Sequence, residues 1–309
     1  MTDEALKIAV MGAGAVGGYF GARLAAAGSD VIFIARGAHL QAIREKGLRV
    51  ESPLGDVTIN PAKATDDPGE VGQVDIILLM VKLYDVESAA KQIVPMLGAN
   101  TGVVALQNGV EAPDILAKTI GPQHAMGGSI YIPAKIGEPG VIVHGGGFAK
   151  VVFGERDGRL SDRAQALQHA FQSAAVEAEI STDVEATLWT KFVMLSAVSG
   201  TNAITRGPTG PVLQDTDMRA MFIAAMRETE AVARARGVNL EAEIVTEQIK
   251  LAEAFPPDVK ASLLQDLEAG KRLEVGYLSG TVSRMGADLG VPTPVHSTIY
   301  AALKPFANG

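Results

Sequence analysis

Hydrophobic runs alternate with helix-compatible segments through the first half of the chain. KIAVM opens the pattern, glycines follow, YFGARLAAAG is helix-compatible, and DVIFIAR resumes a strand pattern, so this order predicts a βαβ unit. Further strands are predicted over 74–82, 101–109, 125–134 and 141–144, with a helical connector over 86–97. The first two of these strands are continuously apolar, as in strands covered on both faces. The pattern therefore predicts an α/β fold with a doubly wound sheet of the Rossmann type.

The pattern changes near residue 183, where β-branched alternation and glycine-rich turns give way to helix-like segments. These cover 211–236, 240–254 and 259–288 and predict an all-helical domain. A length of 309 residues suits two domains. We predict a nucleotide-binding Rossmann domain over 1–182 and a helical substrate domain over 183–309.

Composition excludes several classes of function. The chain is 47% apolar and 20% charged, as in globular proteins, and no uninterrupted apolar run could span a bilayer. A net charge of −8 argues against nucleic-acid or membrane-surface partners. The five histidines lack ligand spacing and cysteine is absent, so we expect no metal. The acidic N-terminus is unlike a signal peptide, so we expect a cytoplasmic location.

The glycines after the first strand match the G-x-G-x-x-G spacing at Gly12, Gly14 and Gly17. Glycine permits the tight turn, the approach of a pyrophosphate to the backbone, and close packing of helix on strand. The free N–H groups at the helix start then bind the anion. Because strand, helix and second strand are in order, we predict a dinucleotide site that includes Gly12, Gly14, Ala15 and Gly17. The alternative is a structural turn without a ligand.

Three cationic or amide side chains follow predicted strands. Arg36 stands where NAD-preferring enzymes place an acid, and its guanidinium suits a 2′-phosphate, which favours NADP(H). Lys82 and Asn108 lie at the carboxyl ends of later strands, where ligands bind in such sheets. The alternatives are a solvated loop charge, a solvent-facing strand end and a turn-forming asparagine, respectively.

Lys191 interrupts the apolar stretch WTKFVMLSAVSG. A buried ammonium group is costly unless it is paired, solvated or used in chemistry. Taken alone, the stretch also fits a lysine whose stem lies on apolar surface and whose head reaches water.

Several motifs together resemble those of the ketopantoate reductase family. They are GAGAVGG, VKLYD, LQNGVE, PGVIVHGG, WTKF and SLLQDLEAGKRLE, which span nearly the whole chain in order. The resemblance implies a Rossmann domain followed by a helical domain similar to that of 6-phosphogluconate dehydrogenase, with the active site between them. It also implies NADPH-dependent reduction of a 2-oxo acid, in the type reaction 2-dehydropantoate to (R)-pantoate on the route to pantothenate.

The resemblance also implies roles for individual residues. Lys191 matches the catalytic lysine of the family, whose ammonium can protonate the oxygen that receives negative charge during hydride transfer. The positions that match cofactor contacts are Lys82, Asn108, Ala134 and Glu274. Ser262 matches a serine that contacts the substrate.

The chain departs from the family at substrate-binding positions. Leu195 and Ser199 share a helical face with Lys191 and replace asparagines, and Thr209 replaces another. Gly276 and Ser279 stand where Asp and Asn are common. Losing these polar groups should relax or redirect specificity, so a different, less polar 2-oxo acid is an alternative substrate. A non-catalytic NADP(H) sensor is a second alternative, and the helical domain is a candidate homodimer interface.

Overall fold

A computed structural model describes residues 5–309 of the chain. The chain divides into two compact units. The first comprises the chain up to Gln107 together with Glu111–Val184, and the second comprises Asn108–Val110 and Glu185–Gly309. The sequence predicts a single boundary after residue 182 and does not predict that residues 108–110 belong to the second unit.

The strands of the first unit are β1 (Lys7–Met11), β2 (Asp30–Ile34), β3 (Leu48–Glu51), β4 (Val57–Ile59), β5 (Lys63–Thr65), β6 (Val74–Leu79), β7 (Leu97–Ala105), β8 (Ala125–Tyr131), β9 (Ala134–Glu138), β10 (Val141–His144), β11 (Lys150–Glu155) and β12 (Glu177–Ile180). Its helices are α1 (Ala15–Ala26), α2 (Gly37–Lys46), α3 (Val86–Gln92), α4 (Ala112–Ile120) and α5 (Asp162–Ser173). The later helices are α6 (Val184–Thr205), α7 (Thr209–Gln214), α8 (Thr216–Ala235), α9 (Ile244–Glu253), α10 (Ser262–Glu268), α11 (Ser279–Leu289) and α12 (Pro294–Leu303).

The main sheet has eight strands in the order β12-β11-β8-β7-β6-β1-β2-β5. Its pairings are parallel except for β11 against β8. The central strands are apolar and almost wholly buried, as expected when helices cover both faces of a sheet. The predicted Rossmann-type α/β fold with a following helical part is confirmed.

A second, four-stranded sheet has the order β4-β3-β10-β9. The predicted single strand over 125–134 is wrong, because β8 ends at Tyr131 and β9 begins a separate sheet at Ala134. Pro133 lies between them and has no N–H to donate to a strand partner. The strand at 141–144 exists, but it pairs with β3 and β9 rather than with the main sheet.

Aromatic side chains join the helices to the main sheet in the first unit. Phe20 of α1 lies edge-on to Phe171 of α5, with ring centroids 5.8 Å apart. Phe171 in turn lies 6.1 Å from Phe153 of β11. All three are fully buried, and rings of this size contribute strongly to core burial.

In the second unit, α6 is anchored by a buried polar chain. The Ser196 and Thr229 hydroxyls lie 2.9 Å apart, and Thr229 Oγ1 lies 2.9 Å from His296 Nε2. Burial lowers the pKa of His296 to about 4, so the imidazole is neutral at physiological pH. These contacts join α6 to α8 and α12, which fixes the helix that carries Lys191.

Two of the predicted long helices are interrupted. The segment 211–236 divides into α7 and α8, because the Asp215 side chain accepts a hydrogen bond from Met218 N–H and caps a new helix. The segment 259–288 divides into α10 and α11 around Gly270, which has a left-handed φ of 59°. The intervening residues include a short 3₁₀ turn at Val275–Tyr277.

Candidate active site

The glycine-rich turn joins β1 to α1, and Gly14 occupies the N-cap position of the helix. Gly12 has φ 99°, a conformation that favours glycine. A Cβ on Gly17 would lie 2.3 Å from the Gly12 carbonyl oxygen, whereas a Cβ on Gly14 would meet nothing within 4 Å. Gly17 therefore serves the packing of the turn, and Gly14 leaves an open approach to the helix start.

This open approach fits a dinucleotide cofactor. The N–H groups at the start of α1 and the helix dipole favour an anion, and only glycine at position 14 leaves the backbone uncovered. The N–H groups of Gly12 and Ala13 donate to the Ile34 carbonyl at 3.2 and 2.9 Å, which ties the turn to the end of β2. The residues present therefore suit a pyrophosphate.

Arg36 follows β2 and occupies the N-cap position of α2. Its side chain is exposed, and Nη2 donates a hydrogen bond to Gln92 Oε1 on α3 at 3.2 Å. The sequence did not indicate Gln92, because it lies 56 residues from its partner and no local pattern links the two.

Lys82 lies just beyond the carboxyl end of β6, at the N-cap of a 3₁₀ turn over Leu83–Asp85. The buried Gln107 amide donates to the carbonyls of Leu79 and Val81 at 2.8 and 3.2 Å. Gln107 thus fixes the segment that leads to Lys82, a role that the sequence did not indicate. Ala134 begins β9, so its position is set by the second sheet.

Lys191 and Asn108 come together in the second unit. Lys191 is partly buried on α6, and its Nζ donates a hydrogen bond to Asn108 Oδ1 at 3.0 Å. Burial lowers the pKa of Lys191 from 10.5 to about 8, because the charged form loses hydration. The ammonium form predominates at neutral pH, yet the proton is held less tightly than on an exposed lysine.

The face of α6 beyond Lys191 is less polar. Leu195 is partly buried one turn later, and Ser199 is 1% exposed with a hydroxyl that has no hydrogen-bond partner. The Ser279 hydroxyl at the start of α11 is also buried without a partner, and it lies 3.2 Å from where a Cβ of Gly200 would be. Two unsatisfied hydroxyls thus lie beside the same turn of α6, which is unusual for a packed interior.

Asn202 connects the two segments that contain the other predicted substrate-binding residues, Thr209 and Ser262. The Thr209 hydroxyl is buried, and it donates to the Val259 carbonyl at 3.1 Å and contacts the Asn202 amide at 3.4 Å. Asn202 Oδ1 also accepts the Ala261 N–H at 2.9 Å, next to the exposed Ser262 at the start of α10. Thr209 therefore lies against the 259–262 segment. Its hydroxyl is used in contacts with Asn202 and Val259.

Glu274 is 7% exposed and lies at the N-cap of the 3₁₀ turn before α11. Among residues 5–309, no group of three histidine or acidic side chains is arranged to hold a metal. Within the same range, none of the helices is long and apolar enough to cross a bilayer.

The family follows from comparison of the sequence with known protein families, since the two domains of one family match the two parts of the chain. The model described as ketopantoate reductase PanE/ApbA matches residues 8–158, and its C-terminal counterpart matches residues 183–307. The chain belongs to the ketopantoate reductase family. Members of this family are oxidoreductases that act on CH–OH groups with a nicotinamide cofactor, and so is this chain.

Relatives within the ketopantoate reductase family match over nearly their full length. The 2-dehydropantoate 2-reductases of Archaeoglobus fulgidus and Mesorhizobium japonicum are 34% and 31% identical, with 98% of this chain and 98% of each relative covered. The crystal structure of a PanE/ApbA family ketopantoate reductase from Ralstonia eutropha JMP134 superposes with a TM-score of 0.90 at 35% identity, with 98% of both chains covered. A D-mandelate dehydrogenase bound to NADH and anilino(oxo)acetate has a TM-score of 0.86 at 25% identity, with 98% of both chains covered.

Proposed function

We propose that the protein reduces a 2-oxo acid to a 2-hydroxy acid with NADPH, with Lys191 as the general acid. The observation that carries the proposal is a partly buried ammonium on α6 that donates to Asn108 and whose pKa is lowered to about 8. The substrate placed first is 2-dehydropantoate, because two relatives that match end to end bear that activity in their names. The product is then (R)-pantoate in pantothenate biosynthesis, and we place the reaction in the cytoplasm.

The two units have separate tasks in this proposal. The first unit holds the cofactor through the Gly12–Gly17 turn, Arg36, Lys82 and Ala134. When bound, the nicotinamide supplies a hydride to the carbonyl carbon of the substrate. In the second unit, Lys191 holds a proton at Nζ and donates it to the carbonyl oxygen as negative charge develops there. Asn108 orients Nζ through the 3.0 Å hydrogen bond.

The remaining predicted residues have supporting tasks in the proposal. Ser262 is exposed at the start of α10 and is available to bind the substrate. Ser199 and Leu195 shape the substrate side of α6, and Thr209 supports the 259–262 segment. In the proposal, Glu274 contacts the cofactor. The helical unit forms the interface of a homodimer.

The value of kcat/KM should depend on pH through Lys191. A general acid must be protonated, and burial lowers the pKa of this lysine to about 8 in the unliganded protein. Because kcat/KM reports the ionisation of the free enzyme, we expect kcat/KM for the oxo acid to be constant below about pH 8 and to fall about tenfold per pH unit above it. Steady-state rates at low substrate concentration from neutral to strongly alkaline pH test this. A rate that stays constant well above pH 8 contradicts the acid role.

Arg36 should select the phosphorylated cofactor. Its exposed guanidinium can pair with a 2′-phosphate, which NADH lacks. For Arg36→Ala we expect kcat/KM with NADPH to fall about 10- to 100-fold and kcat/KM with NADH to stay within about twofold. Arg49→Ala, at an exposed arginine of β3, is the matched control. Equal losses with both cofactors would show that Arg36 does not read the phosphate.

A less polar 2-oxo acid is the second candidate substrate. Leu195 lies one helical turn from Lys191 and offers an apolar contact. A structural neighbour at 25% identity is a D-mandelate dehydrogenase, bound to an oxoacetate with an aromatic amine. A side chain that bears a phenyl or branched alkyl group would suit Leu195 better than a hydroxyl would.

A substrate panel separates the candidates. The rates of NADPH oxidation are compared for 2-dehydropantoate, aromatic 2-oxo acids and branched-chain 2-oxo acids, with wild type and Leu195→Asn. Selective use of 2-dehydropantoate by wild type supports the first candidate. Selective use of an apolar acid, with a shift toward 2-dehydropantoate in Leu195→Asn, supports the second. No turnover of any of these acids contradicts the proposed function and favours a sensor of the cofactor.

A further inference from the structure

Asn202 is a fully buried asparagine on α6 that the proposed mechanism does not use. Its Oδ1 accepts a hydrogen bond from the Ala261 N–H at 2.9 Å, across 59 residues of sequence. A backbone N–H can only donate, so the amide oxygen must face Ala261 and the NH2 group must face the other way. On that other side, Nδ2 donates to Thr209 Oγ1 at 3.4 Å. Asn202 therefore ties α6 both to the start of α7 and to the segment that leads into α10.

The peptide between Lys260 and Ala261 is held from both sides. Its carbonyl, on Lys260, accepts a hydrogen bond from the Gln265 side chain at 3.0 Å, and its N–H, on the opposite edge of the planar peptide, donates to Asn202. Gln265 is exposed, so water can replace its hydrogen bond. Asn202 is 0% exposed, so water cannot readily take the place of its oxygen. The hydrogen bond from Asn202 is therefore the costly one to lose.

Ser262 follows this peptide directly and is the first residue of α10. Ala261 is the N-cap of the helix, with extended backbone at φ −62° and ψ 150°, and its carbonyl accepts the N–H groups of Leu264 and Gln265 at 3.1 and 3.2 Å. The orientation of Ala261 thus sets where α10 begins. Because α10 has only seven residues, it depends on such tertiary contacts for its place. The position of the exposed Ser262 side chain depends on them too.

The helix that carries Asn202 also carries Lys191. Asn202 lies about three turns after Lys191, and at 3.6 residues per turn the two side chains leave α6 within about 20° of the same direction. One helix therefore holds both the ammonium and the anchor of the segment that contains Ser262.

We propose that Asn202 is a positioning residue for the substrate, whose side-chain oxygen holds the peptide before Ser262 and thereby fixes the Ser262 hydroxyl relative to Lys191. This inference rests on the proposed function, in which Ser262 binds the 2-oxo acid and Lys191 donates the proton. The oxygen and the NH2 group of Asn202 are occupied by Ala261 and Thr209. Asn202 thus acts through the backbone and does not contact the substrate.

Two substitutions isolate the hydrogen-bond acceptor. Asn202→Ala removes it, whereas Asn202→Asp keeps an oxygen at the same position. We expect KM for the oxo acid to rise about tenfold in Asn202→Ala and to stay within about threefold of wild type in Asn202→Asp. We expect kcat to change less than about threefold, because a lost binding contact appears mainly in KM. The Kd for NADPH should not change.

Thr201→Val is the matched control. Thr201 is the preceding residue of α6 and is equally buried, but its hydroxyl donates within the helix, to the Ala197 carbonyl at 2.9 Å. The control should lower stability in thermal unfolding without changing KM. KM is measured with the full-length protein at saturating NADPH, with 2-dehydropantoate or with the aromatic or branched-chain 2-oxo acid of the panel above that wild type turns over.

The double variant Asn202→Ala/Ser262→Ala tests whether Asn202 acts through Ser262. Once the Ser262 hydroxyl is gone, loss of Asn202 has nothing left to misplace, so the two effects should not multiply. We expect KM of the double variant to lie within about twofold of that of Ser262→Ala alone. A KM about tenfold above that of Ser262→Ala would show independent effects and overturn the inference.

Other results also decide against the inference. Asn202→Ala with lowered stability and an unchanged KM would show that the side chain is structural only. If Asn202→Ala does not fold, Asn202→Thr replaces it, since the threonine hydroxyl is one bond too short to reach Ala261, and an unchanged KM there has the same meaning. Failure of the proposed function is distinct: wild type then turns over none of the acids, or Ser262→Ala leaves KM unchanged. A raised KM in Ser262→Ala beside a normal Asn202→Ala overturns this inference alone.

Discussion

Lys191→Met should lower kcat by about 10³-fold while the Kd for NADPH remains unchanged. General acids contribute about 10²- to 10⁴-fold to rates, and no proton donor replaces the ammonium in the variant. Methionine fills a similar volume, so the helix face around position 191 should keep its packing. The loss therefore reports on the proton and not on the shape of the site.

The same substitution should stabilise the folded protein. A pKa that falls from 10.5 in the unfolded chain to about 8 in the folded one costs at most about 3 kcal/mol at neutral pH, and the bond to Asn108 offsets part of this. We expect Lys191→Met to be more stable by about 1 to 3 kcal/mol at pH 7. Because the folded pKa is the lower one, this advantage should shrink as pH rises from about 8 towards 10.5.

Chemical denaturation and single-turnover kinetics measure the two effects of Lys191→Met. Lys250→Met, at an exposed lysine of α9 in the same unit, is the control and should change neither. A Lys191→Met variant with kcat within tenfold of wild type would remove the lysine from the chemistry. Loss of activity together with loss of stability would instead indicate a structural role.

Gly14→Val should lose cofactor affinity and Gly17→Val should lose stability, although the two glycines are only three residues apart. A Cβ on Gly17 would lie 2.3 Å from the Gly12 carbonyl oxygen, so Gly17→Val should destabilise the fold by about 3 kcal/mol. A side chain on Gly14 meets no protein atom within 4 Å, and the backbone there has an ordinary φ of −77°. Gly14→Val should therefore fold normally and lose at least about 100-fold in affinity for NADPH, since it covers the helix start.

Thermal unfolding and fluorescence titration of both variants test this contrast. Gly147→Val is the control, because Gly147 is exposed, lies in the same unit and has no atom within 4 Å of a built Cβ. It should alter neither property. Normal NADPH binding by a folded Gly14→Val protein would mean that the cofactor does not approach this turn.

The sequence predicted the fold best where local pattern and tertiary environment agree. β1, α1 and β2 were found because apolar runs and glycines alternate over short distances. The long helix expected over 259–288 was wrong, since its apolar spacing continues across Gly270 while the backbone turns there. The second sheet was not predicted, because its strands are short and pair across about ninety residues.

The candidate site shows the same limit. Lys191 and the glycine turn could be found from motifs, but the contacts that support them are not local. Asn108 reaches Lys191 across 83 residues, and Gln92 reaches Arg36 across 56. Only the three-dimensional arrangement of the elements brings such pairs together, and no periodicity along the chain records it.

The segment Asn108–Val110 determines how the chain can be divided into separately expressed fragments. This segment belongs to the second unit, although it lies in the chain between β7 and α4 of the first. A gene truncated after residue 184 encodes Asn108 without the lysine that it binds, and a gene that starts at 185 encodes the lysine without its acceptor. Neither half of the gene therefore carries the complete Lys191–Asn108 pair, so fusions and fragment-complementation designs must carry both halves together.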